Sequence, residues 1–119
     1  MRIAISAQGE WPSSPVDQRF GRAFWLLVHD EATGGREAFE NARARNALQG
    51  AGIQAAQALA ERRVDVLLTG VTGPKAYKGL EAAGIAVYHG ATGTAESTLT
   101  EWREGRLERA TAASAVGTP

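Results

Sequence analysis

The chain has 119 residues, 44% hydrophobic and 22% charged, with 13 Lys plus Arg balanced by 13 Asp plus Glu and no cysteine. That length suits one domain around a single core. Zero net charge gives no global field for nucleic acid or an anionic membrane, so any anion site has to come from local geometry.

Lack of cysteine excludes disulfides, thiolate nucleophiles and Cys-type zinc sites. No apolar stretch approaches the roughly twenty residues of a membrane helix. The chain starts in a strand pattern rather than a signal peptide, so a cytoplasmic location is expected.

In chain order, RIAISA at 2–7 predicts a strand that ends at the polar, Gly/Pro-bearing QGEWPSSP. AFWLLVHD at 23–30 is apolar on both alternating faces, as in a strand of a covered sheet. EATGG then supplies turn chemistry, and the polar REAFEN at 36–41 returns as a hairpin arm at the sheet edge. From Gly52 the period becomes helical, with Ile53, Ala56, Leu59 and Ala60 on one stripe. VDVLLT at 64–69 predicts a buried strand. Pro74 fits a first helical position, Tyr77, Leu80 and Ala83 share a face, and Gly84 stops that helix. IAVYH at 85–89 is the last strand, followed by a helix marked by Ala95, Leu99 and Trp102 and ending near Gly105. Residues 1–107 form the predicted domain, and 108–119 a loose, low-complexity tail.

This order predicts an α/β domain with a mixed sheet of about five strands. The strands at 64–69 and 85–89 run parallel through a right-handed crossover, with the first strand beside them. Three strand C-termini then share an edge, where open α/β sheets take ligands. Two near-identical turns lie there, GVTG at 70–73 and GATG at 90–93. Gly70, Gly73, Gly90 and Gly93 would let the backbone approach an anion, with helix-start amides and the Thr72 and Thr92 hydroxyls as donors. The alternative is that Gly and Thr simply make compact turns and caps.

The same edge should receive the loops bearing Arg19, Arg22, Arg43 and Arg45, whose guanidinium groups suit bidentate anion contacts unless they are only a solvated surface. Phe20 reads as a core plug. His89, closing its strand before the second glycine turn, is either a metal ligand or a hydrogen-bonded turn residue; His29 reads as structural. There is no GxSxG, P-loop or HExxH motif. Asp17, Asp30 and Asp65 scatter over both ends of the sheet, against a two-metal hydrolase. No catalytic residue is expected.

The run VDQRFGRAFWLLVHD, followed by GAGIQAAQALAERRVDVLLTGVTGPKAYKGLEAAGIAVYHGATGT, resembles the dinitrogenase iron-molybdenum cofactor biosynthesis family, the small domain of NifX and of the C-terminal part of NifB. The resemblance spans residues 1–107. It is carried by Phe20-Gly21-Arg22, by Gly50 to Ala55, and by Gly70 to Ala76 with its Gly-Pro. It implies a ribonuclease H-like three-layer fold, with a five-stranded mixed sheet in the order 3-2-1-4-5 and helices on both faces. It also implies a non-enzymatic carrier of the anionic iron-molybdenum cofactor or its iron-sulfur precursors, with nitrogenase assembly proteins as partners. A monomer or weak homodimer is expected, since a polar edge strand can pair or stay capped. Gln49 stands where many members carry His, and Lys75, a cation beside the first turn, where members often carry Asn. Without thiolates, His89, backbone amides and arginines are the groups left to hold a cluster. A metal-free regulatory domain that binds a small anion or a protein is the competing reading.

Overall fold

The computed structural model describes residues 1–113. Its elements are β1 (Arg2–Ala7), β2 (Trp25–Asp30), β3 (Arg36–Glu40), α1 (Ala42–Arg45), α2 (Ala51–Glu61), β4 (Val66–Leu68), α3 (Pro74–Ala82), β5 (Ala86–Tyr88) and α4 (Ala95–Arg103). The five strands lie in the order β3-β2-β1-β4-β5. β1 is antiparallel to β2, with Ala7 opposite Trp25, and parallel to β4, with Ile3 opposite Val66. β3 closes one side as the hairpin arm, and β5 runs parallel to β4 on the other. The C-termini of β1, β4 and β5 therefore meet at one edge, where β2 begins and β3 ends.

Strand periodicity of two divides the apolar residues between two cores. Ala4, Leu26, Val28, Leu67 and Val87 face α2 and α3, which contribute Ala55, Ala56, Leu59, Ala76 and Leu80. Ile3, Ile5, Leu27, Val66 and Leu68 face α4, which contributes Ala95 and Leu99. Helices thus cover both faces of the sheet, as expected. Among the described residues no helix is long and apolar enough to cross a membrane.

Three helices end in the same way. The N–H groups of Val64, Ile85 and Arg106 reach back to the carbonyls of Leu59, Leu80 and Glu101. The residues just before them, Arg63, Gly84 and Gly105, have φ of 57°, 77° and 74°. These are Schellman endings, which turn the chain sharply from helix into strand or loop. Arg63 is the one non-glycine residue with positive φ among the described residues.

Two features differ from the sequence reading. The four-residue α1 was not anticipated, because ARAR carries no apolar period. The segment expected to be loose from 108 is instead held at its start. The Ala110 N–H donates to the Val87 carbonyl (2.7 Å), Arg109 bridges Tyr88, and the Tyr77 hydroxyl donates to the Ala110 carbonyl (3.2 Å). This cover satisfies the outer edge of β5. The rest of the expected tail, 114–119, lies outside the described residues.

Candidate functional site

The edge at the strand C-termini is organised by the loop between β1 and β2. The Val71 N–H donates to the Gln18 carbonyl (2.7 Å) and the Phe20 N–H to the Val71 carbonyl (3.3 Å), so residues 18–20 run alongside the first glycine turn. Gly70 is required by this crossing, since a Cβ there would lie 2.6 Å from the Gln18 carbonyl oxygen and 2.8 Å from its Cα. Asp17 closes its own turn by accepting from the Phe24 N–H (3.2 Å). The buried Asn41 side chain donates to the carbonyls of Gly21 (3.2 Å) and Ala23 (3.1 Å). Phe20, 1% exposed, plugs the core beneath. Arg19 and Arg22 flank that plug and are held at the surface by it.

The two glycine turns are neighbours, as expected, but they hold each other. The Gly90 and Ala91 N–H groups donate to the carbonyls of Gly70 (3.1 Å) and Thr69 (3.1 Å). The Ala91 carbonyl accepts from the Gln18 amide, and the Gly93 carbonyl from the Val16 N–H. Thr72, 2% exposed, places its hydroxyl 2.8 Å from His89 Nε2, and this contact joins the turns. Burial pushes the His89 pKa below its ordinary value, which favours the neutral ring. Among the described residues no group of three or more His, Cys, Asp or Glu is arranged to hold a metal ion.

Three surface grooves have similar volumes, about 580, 510 and 550 Å³, so chemistry rather than size separates them. The first, between β3 and α2, mixes Arg43 and Arg62 with Glu40 and Glu61. The third, beside α4, is largely apolar and sets Glu10, Glu37 and Glu96 beside Arg36 and His29 on its lining. The second lies between the first glycine turn and the start of α2, and its lining has three cations, Arg19, Arg22 and Lys75, with no carboxylate. Phe20, Val71 and Ala76 give it an apolar floor. It also receives the N-termini of α2 and α3, neither of which has a side-chain cap or an acidic residue in its first turn. Both helix ends therefore add positive potential to the same space.

Of the residues expected at one mouth, the structure brings Arg19, Arg22, Gly73 and Lys75 together in this cleft. Gly70 and Thr72 are buried behind it, while Gly90, Thr92 and Gly93 belong to the second turn and do not line it. Arg43 lines the neighbouring groove. Arg45 stacks its guanidinium over the Phe24 ring at 4.3 Å and gives its carbonyl to Arg22. His89 is turned to Thr72 rather than to the cleft.

The wall formed by Gly50, Ala51, Gly52 and Ile53 was read from sequence only as a helix start. Its signal was the run of small residues. A Cβ on Gly52 would lie 2.5 Å from the Ala76 Cβ, and one on Gly21 would lie 2.8 Å from the Gly52 nitrogen. These glycines bring three chain segments close enough to form one cleft wall.

Comparison with known proteins agrees with this architecture. The apo form of the orange protein from Desulfovibrio gigas is 39% identical, with 95% of each chain covered and a TM-score of 0.92. A NifB-like protein from Thermotoga is 34% identical, with 95% of this chain and 96% of that one covered and a TM-score of 0.84. An uncharacterized protein from Methanocaldococcus jannaschii is 31% identical over 112 residues, 92% of this chain and 91% of its own. Residues 1–105 match the family model described as dinitrogenase iron-molybdenum cofactor, and the chain belongs to that family.

Proposed function

We propose that the protein is a non-enzymatic carrier that holds the iron-molybdenum cofactor, or an iron-sulfur precursor of it, as an intact anion in the cleft between the first glycine turn and α2. The observation that carries this reading is the lining: Arg19, Arg22 and Lys75 converge there without a carboxylate. A cleft of about 510 Å³ is within the usual range for small-ligand sites. Family membership supports the choice of cargo. The similar orange protein is described in an apo form, which implies a loaded one for that protein. With no cysteine in the chain, the cargo is held through its outer atoms by cations and amides, not by thiolates on its metals.

Anaerobic titration with isolated cofactor, followed by gel filtration and metal analysis, tests the assignment. Arg19→Glu and Lys75→Glu should each weaken retention by about tenfold or more, equivalent to roughly 1.4 kcal/mol. His89→Gln should leave it unchanged. Binding abolished by His89→Gln but insensitive to both charge reversals would move the cargo to the turns. The lack of thiolates also favours a second reading, a metal-free carrier of simple oxyanions. Retention of phosphate or sulfate, with no retention of cofactor, would select it.

A further inference from the structure

The Arg22 guanidinium has two obligations. It lines the cationic cleft, and its Nη1 donates to the carbonyls of Arg45 (2.6 Å) and Ala47 (2.8 Å). We propose that Arg22 couples occupancy of the cleft to the 45–50 loop, so that a loaded cleft stiffens the loop and a fixed loop tightens the cleft. The inference rests on the carrier reading above.

A guanidinium offers five N–H groups in a planar fork. With both Nη1 protons directed at loop carbonyls, the edge formed by Nη2 and Nε is the geometry that pairs with an anion. One side chain can then hold backbone and cargo together, which an ammonium at the end of a lysine stem cannot do in the same plane.

The loop is suited to respond. Leu48 at its tip is 98% exposed, so no apolar packing fixes it. Gly50, where the loop enters α2, has φ of 73°, and a Cβ placed there would meet nothing within 4 Å. Glycine carries this backbone state without strain and has room to leave it. Gly50 is also part of the cleft wall, with Ala51 and Gly52 next along α2. Movement of the loop therefore reaches the cleft both through Arg22 and along the backbone. By linkage, whatever the anion does to the loop, the loop does in return to the anion's affinity. A loaded carrier would then present Leu48 in a fixed position that an empty one does not.

Millisecond-quench hydrogen exchange on residues 45–50, with and without isolated cofactor, tests the coupling. In the unaltered protein, loading should slow exchange there by about fivefold or more, the low end of typical coupling strengths. Arg22→Lys keeps the charge and should still saturate, at roughly tenfold higher cofactor, while loop exchange becomes the same loaded and empty. Gly50→Ala, which strains the loop, should weaken binding when Arg22 is present and by much less in the Arg22→Lys background.

If cofactor binds but loop exchange does not change, or still slows in Arg22→Lys, the coupling is wrong and the carrier assignment stands. Equal losses from Gly50→Ala in both backgrounds also overturn the coupling. If the unaltered protein binds no cofactor, both proposals fall.

Discussion

Gly52 is the tightest test of how the cleft wall is built. An added Cβ would stand 2.5 Å from the Ala76 Cβ and 3.3 Å from its Cα, against the 3.4–4 Å of ordinary contact. Gly52→Ala therefore forces α2 and α3 apart by on the order of 1 Å, and overpacking of this kind costs about 1–3 kcal/mol. Replacing glycine inside a helix returns at most about 1 kcal/mol through propensity. With the full propensity gain the net loss should be up to about 2 kcal/mol, a fall in Tm of up to roughly 10 °C for a domain of this size.

Urea denaturation followed by tryptophan fluorescence gives the free energy, and thermal circular dichroism gives the Tm. Ala76→Gly removes the obstructing methyl. Alone it should cost about 1 kcal/mol through helix propensity, but combined with Gly52→Ala it should recover most of the clash, a non-additive cycle. A Gly52→Ala protein more stable than the parent, or a strictly additive double variant, would refute the reasoning.

Arg63→Gly should stabilise the protein by about 0.5–1 kcal/mol, read from the denaturation midpoint, because it relieves a left-handed residue in the Schellman ending of α2. For His89 the folded pKa lies below the ordinary 6.5 through burial, so its contribution is present above that value and lost as pH falls toward the folded one. The stability of the parent should therefore decline as pH falls below about 6.5 more steeply than that of His89→Gln. Cofactor binding should weaken with added salt, and less steeply in Lys75→Ala, since an exposed cation acts through a screened field. Ile53→Cys places a thiol on the cleft lining. It should slow cofactor release by at least about tenfold in stopped-flow transfer to a chelating acceptor, because a metal-sulfur bond then has to break; an unchanged rate would place the cargo's metals away from that wall.

β1, β2, β4 and β5 were legible because each is an apolar run bounded by clear turn signals. The edge position of β3 followed from the polar sequence REAFE. What the sequence could not reveal are contacts between distant segments. The crossing of 18–20 over the first glycine turn depends on Gln18 meeting Gly70 and Val71. No local pattern announces that meeting, yet it decides which side of the turn faces solvent. Gly70 reads from sequence as a ligand approach or a compact turn and Gly52 only as a helix start, whereas their neighbours Gln18 and Ala76 show close packing at both. Arg19 and Arg22 were identifiable as loop cations and Lys75 as a cation beside the first glycine turn, whereas their separation from Arg43 required the course of α1. The pairing of Ala110 with Val87 was hidden for the same reason, since a single long-range hydrogen bond leaves no periodic trace.

The composition of the cleft bears on how firmly it holds and how readily it lets go. Charge-assisted hydrogen bonds contribute roughly 1.5–3 kcal/mol each, so three cations supply at most about 5–9 kcal/mol, a Kd between roughly 0.2 mM and 0.2 µM. Arg19, Arg22 and Lys75 are all exposed, which keeps the sum toward the weak end through screening. A site built from thiolates would instead bind through metal-ligand bonds whose rupture governs release. Contacts made only through the outer atoms of an anion impose no such step, so departure needs only competition from another cationic or thiolate-bearing surface. For the carrier proposed above, the absence of cysteine is thus the property that transfer would need. A cargo held in that way would pass to a better ligand set without first being dismantled.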